Sequence, residues 1–333
     1  MQGDQFAMED TVMSRFRDAK EKNPFRDKRP FAIAGVLVIV FACVSAHANA
    51  SHQKSFSSPG KAVKAMAAAV KADDAGTLLR IFGPGSKDIV LSGDPVEDKE
   101  GRRRFVKRYE EKSRLEEASG KVMLYMGNDE WPFPIPIVKA GSRWRFDTRA
   151  GREEILARRV GRNELNAIQV CLAYVDAQQE YAMKKGRQGN GLLEYAQKFV
   201  SAPGTHDGLY WGAREGEEQS PMGPLFAAAR GAGYGGEPLG GESAPYHGYF
   251  YKILKAQGKD APGGARDYVV GDKMIGGFAI VAYPAKYGSS GVMTFIANQD
   301  GVVYQKDLGK DAKDAALAMN AFDPDKTWVR VPQ

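Results

Sequence analysis

Cysteine is nearly absent from this chain of 333 residues, which carries only Cys43 and Cys171, and histidine is almost as scarce, at four residues. Two cysteines cannot make a disulfide framework. The two histidines in the body of the chain, His206 and His247, cannot by themselves fill a structural zinc site, and the nearest cysteine falls on another segment. No metal and no cofactor is expected. Long apolar runs are missing as well. The longest apolar run, FAIAGVLVIVFACVSA from Phe31 to Ala46, is short of the roughly 20 residues of a spanning helix. A one-sided charge is also lacking, because 47 basic residues face 41 acidic ones for a net +6. The densest basic run, GRRRFVKRYEEK, turns acidic within a helical turn, which describes a solvated helix face and argues against a nucleic-acid partner.

What is present begins at the N-terminus. Arg15, Arg17, Lys20, Lys22, Arg26, Lys28 and Arg29 precede the apolar run, and Ala48 and Ala50 follow it in HANAS. Basic region, apolar core and Ala-x-Ala exit are the parts of a secretory signal peptide. Cleavage is expected near Ala50, giving a periplasmic or secreted protein; uncleaved, the same segment is a membrane anchor. The mature chain then keeps one cysteine, Cys171, at the edge of a helical stripe of Leu165, Ile168, Leu172 and Val175, where it reads as a buried, inert thiol.

The rest reads as α+β, with residues 51–150, 151–245 and 246–333 as successive parts. Ser58-Pro59 opens helices that break near Asp73 to Gly76, and a charged helix covers Lys99 to Lys112. Period-two segments follow at Arg114–Ala118, Lys121–Met126, Phe133–Val138 and Arg143–Asp147. Helices leading into a four-stranded meander resemble the cystatin or nuclear-transport-factor cone. A long helix is predicted over Asn163–Met183 and a second over Leu192–Val200. Residues 201–245 are rich in Gly and Pro, a length of connection that is usually functional. Four antiparallel strands then follow, in GYFYKILKA, GGFAIVAYPA, GVMTFIAN and GVVYQKD, with a short helix around Asp311–Asn320.

Gly288-Ser289-Ser290-Gly291 has neither the spacing of a nucleophile elbow nor the Gly-Lys-Ser end of a phosphate loop, and a strand follows it, so it reads as a turn. A hydrolase triad of Ser290, His247 and Asp207 can still be drawn, since triads are recognised by geometry. Asp176 and Glu180, four apart, read as a solvated helix face continued by Lys184. Trp131, Tyr210, Trp211 and Tyr246 sit in or beside loops, where large aromatics either meet a protein, peptide or polysaccharide partner or plug an interdomain seam. Both readings stand at this point.

NDEWPFPIPIV, GRNELNAIQVCLAYVDAQQEYA, DGLYW, SPMGPL, PYHGYFYKIL and GGFAIVAYPAKYGSSGVMTFIANQDGVVYQKDL together resemble the secreted bacterial family numbered 2950 among domains of unknown function, over roughly Phe56 to Val331. The resemblance implies an exported Gram-negative envelope protein and supplies no catalytic residue or ligand. Members of that family often carry an acidic run, suggestive of a calcium loop, before the segment matching GLLEYAQKF; this chain has no carboxylate from Lys184 to Gly191. The C-terminal strands are also similar to the β-domain of pseudopilins, a likeness of sheet pattern.

Overall fold

The computed structural model describes residues 53–188, 191–214, 216–235, 239 and 244–332. The expected export segment lies outside the described residues. Among them no helix is long and apolar enough to cross a membrane.

Helix α1 (Pro59–Lys71) begins where the Ser58 hydroxyl accepts the Lys61 N–H at 3.3 Å, with proline in the first turn, where no amide donor is required. Asp73, at φ +55°, breaks the chain, and Asp74 caps α2 (Ala75–Phe82). A single turn, α3 (Lys87–Val90), leads to α4 (Pro95–Glu111), capped by Asp94. Helix α4 starts earlier than its charged face alone predicts, because Asp94-Pro95 is a strong start signal. It has no fully buried residue.

Strands β1 (Ser113–Ala118), β2 (Lys121–Met126), β3 (Trp131–Pro132), β4 (Ile137–Ala140) and β5 (Arg143–Phe146) form one antiparallel sheet in the order β1-β2-β4-β5, with β3 on the end of β2. The strand expected over Phe133–Val138 is divided. Pro134 and Pro136 have no amide proton for a ladder, so pairing lapses between Pro132 and Ile137. Val122, Leu124 and Met126 alternate inward and join Met66, Ile81 and Phe146 in the first core.

Helix α5 (Thr148–Gln188) has 41 residues, and a helix of that length spans about 60 Å. It starts fifteen residues before the predicted Asn163. Gly151 and Gly161 weaken the local propensity, yet Gly151 is demanded by packing: a Cβ there would lie 2.6 Å from the Pro134 carbonyl oxygen. The first turns of α5 thus belong to the first unit, and Ala167 onward to the second core.

No helix forms over Leu192–Val200. Tyr195 bridges to Met274, and the Gln178 side chain bonds both the N–H (2.8 Å) and the carbonyl (2.7 Å) of Ala196. Long-range partners override the local period there. Helix α6 (Gly223–Gly231) is the regular element of the Gly/Pro-rich stretch among the described residues.

The second sheet is antiparallel and built from β6 (Tyr249–Leu254), β11 (Ala279–Pro284), β12 (Met293–Asn298), β13 (Val303–Asp307) and β15 (Val329–Arg330), in the order β15-β13-β12-β11-β6. Between β6 and β11 lie β7 (Ala256–Gln257), β8 (Arg266–Asp267), β9 (Val269–Val270) and β10 (Lys273–Met274); α7 (Ala312–Ala318) and β14 (Ala321–Phe322) precede β15. Every residue of β11 is buried, and both α5 and α7 pack on that strand. Burial at consecutive strand positions means cover on both faces. The fold is α+β, with a long central helix between two antiparallel sheets.

Candidate functional site

The two units meet along α4, the first half of α5 and the loops that flank β6 and β12. Asp94 is the centre of the contact, 1% exposed. One carboxylate oxygen caps α4, accepting the Val96 and Glu97 amides at 3.1 Å each. The other accepts the Tyr234 hydroxyl at 2.9 Å and the Gly248 amide at 3.0 Å, both from the second unit. Burial raises the Asp94 pKa against the opposing pull of these donors.

One turn further, Glu97 meets His247 Nδ1 at 3.2 Å. That hydrogen bond, aided by the Arg162 and Arg104 guanidiniums, brings the Glu97 pKa down to about 2 although burial acts the other way. His247 holds φ +51°, an uncommon backbone state for a non-glycine residue, and its N–H reaches the Tyr234 hydroxyl at 3.2 Å. The Tyr246 ring lies 4.2 Å from the His247 ring and is 5% exposed. Gly248 is needed behind it, since a Cβ would stand 2.5 Å from Asn163 Nδ2, which itself donates to the Ser290 carbonyl at 2.9 Å.

A Cβ on Gly248 would also be 3.1 Å from Ser290 Cβ, so the residue after His247 abuts the Ser290 turn. The Ser290 hydroxyl closes its own turn, accepting the Lys286 amide at 2.8 Å and donating to the Lys286 carbonyl at 3.2 Å. The carboxylate beside His247 is Glu97 of the first unit. Asp207 is engaged by Lys198 at 2.5 Å, by Thr205 at 2.8 Å and by the Ala202 amide at 2.9 Å, which hold its carboxyl well below the usual range.

The aromatic candidates are placed as follows. Trp211 is 9% exposed, stacked on His206 at 4.1 Å, with its indole N–H donating to the Glu218 carbonyl at 3.0 Å. Tyr210 stacks on Phe226 at 4.0 Å. Trp131 is half-buried between the guanidiniums of Arg108 and Arg158, 5.6 and 5.1 Å from its ring.

Sequence reasoning passed over Asp94, Glu97 and Arg159. GDPVED does announce a helix start, but nothing local shows that its aspartate also takes donors from 140 and 154 residues away. Arg159, on α5, fastens α3 through the carbonyls of Asp88 (2.5 Å) and Ile89 (2.8 Å) and contacts Ser289 Oγ at 3.5 Å.

Beside Arg159 the seam opens into a cleft of 540 Å³. Lys87, Arg149, Arg152 and Lys286 line it together with Asp88, which pairs with Arg152. Among the described residues no cluster of His, Cys, Asp and Glu could hold a metal ion.

The chain belongs to the family described as "Protein of unknown function (DUF2950)", whose model matches residues 53–331. No curated protein and no solved structure matches it.

Proposed function

We propose that the protein is exported to the cell envelope, with a mature chain beginning near Ser51, and acts there by binding a protein, peptide or carbohydrate partner in the assembly or maintenance of a surface structure. The signal-like N-terminus supports the location. The observation that carries the binding reading is the open cleft at the seam, lined from both units and holding three exposed cations, Lys87, Arg149 and Lys286, with no ion pair among the described residues, whereas Ser290, Asp207 and His247 are each engaged in holding the fold. Clefts between structural units are a usual place for ligands. Two measurements test this. Mass spectrometry of envelope fractions should find an N-terminus near Ser51, and an intact N-terminus in the cytosol would refute export. The purified protein should retain a specific partner from envelope extract, and retention of none contradicts binding.

A second reading, an envelope hydrolase around His247, draws on one observation: an imidazole paired with a carboxylate on a strained backbone. Under it, His247→Ala abolishes turnover of an envelope substrate and leaves partner capture intact. Under the binding reading no turnover is found in either form.

A further inference from the structure

Several surface cations of this protein are neutralised in place, as in Lys71–Glu110, Arg108–Asp129 and Lys112–Glu130. The cleft gathers three that are not. Lys87, Arg149 and Lys286 are exposed and have no ion pair among the described residues, and Arg152 is shared with Asp88, the one carboxylate of the lining. Gathering like charges around a concave surface raises its potential and costs self-repulsion that a bound anion relieves. The cleft is also jointly owned. Lys87 and Asp88 come from α3, Arg149 and Arg152 from the first turns of α5, and Lys286 from the connection between β11 and β12.

We infer that this cleft is a binding site for a phosphorylated ligand with at least two phosphate groups, a diphosphate or a bisphosphorylated saccharide. The assignment rests on the binding reading above and names the chemistry of the ligand. Three uncompensated cations match a group carrying several negative charges, where a carboxylate supplies one. Arg149 and Arg152 offer planar forks that take two phosphate oxygens at once, and Lys87 and Lys286 act as point charges. A volume of 540 Å³ lies within the range of small-molecule sites and admits a diphosphate with part of a sugar. Because Lys286 belongs to the second unit, a ligand that reaches it and Arg149 together ties the units to each other.

Calorimetric titration of the purified full chain with inorganic pyrophosphate tests the assignment, with citrate as the carboxylate comparison. Saturable one-to-one binding is expected, weaker as salt rises, and weakened about tenfold or more in the Arg149→Ala, Lys286→Ala double variant. Circular dichroism confirms that the variant is folded; Lys87→Ala, at another exposed position, gives an independent second measurement. No binding of pyrophosphate, equal affinity in the variants, or citrate binding as tightly as pyrophosphate overturns the inference. Capture of an envelope partner separates the two readings. A partner retained equally by wild type and double variant removes the cleft and leaves the binding function standing, and loss of capture from both removes the function itself.

Discussion

Trp211 illustrates how a residue of loop-like sequence becomes core. DGLYW sits in a Gly-rich stretch, yet the chain bends so that the indole lies on His206 and Leu209 is completely buried. The N–H that burial would strand donates to the Glu218 carbonyl. Trp211→Ala should therefore cost about 3–5 kcal/mol in a denaturant titration, and a change below 1 kcal/mol would show that the loop carries the ring without needing it. Cys171 was legible from its helical stripe, and it is 0% exposed with its thiol pushed up to about 12 by burial alone. Thiolate is the reactive form, so labelling by a thiol reagent should follow global unfolding. Rapid labelling of the native protein contradicts this packing.

Helix α4 shows what an element can conceal. Its sequence announces a charged, solvated surface helix, but Phe105, Val106 and Tyr109 pack on the first core and its first turn faces the other unit through Asp94 and Glu97. Glu97 titrates near 2 against an ordinary 4.5, so its contribution is present above pH 4.5 and is lost as pH falls from there towards 2. The shift corresponds to about 3 kcal/mol. Asp94 runs the other way, since its raised pKa gives stability at low pH that declines as the carboxyl ionises. Arg104, Arg159, Arg162, Asp94, Glu100 and the Tyr234 and Tyr246 rings are among the groups about the Glu97–His247 pair. Unfolding measured from pH 5 to pH 2 should fall more steeply for wild type than for Glu97→Gln. Parallel curves would mean that the His247 contact contributes nothing. At this scale the strand periods were readable because alternation is local, whereas the start of α5 and the lost helix at Leu192–Val200 were decided by Pro134, Met274 and Gln178, residues distant in sequence.

On the scale of the whole molecule, two cores, one from Phe56 to Phe146 and one from Ala167 to Val331, are joined by α5 and by the seam. The classes of element and the second sheet could be read from the chain, and His247 and Ser290 stood out in it as candidate residues. Their setting could not be read, because a seam is made of pairs such as Asp94–Gly248 and Arg159–Ser289 whose members lie more than a hundred residues apart. Asp94 joins four donors from both units, and hydrogen bonds to a buried charge contribute about 1.5–3 kcal/mol each. Removing that carboxylate unpins Tyr234 and Gly248 together, while each core keeps its own apolar packing. Asp94→Ala should thus convert a single calorimetric unfolding transition into two. The tryptophans report which unit melts first, since Trp131 and Trp144 pack on the first core and Trp211 and Trp328 on the second. Replacing Trp211 and Trp328 by Phe isolates the first signal, and replacing Trp131 and Trp144 isolates the second. If the two signals in Asp94→Ala still melt at one temperature, α5 alone couples the units, and the seam positions the cleft without holding the molecule together.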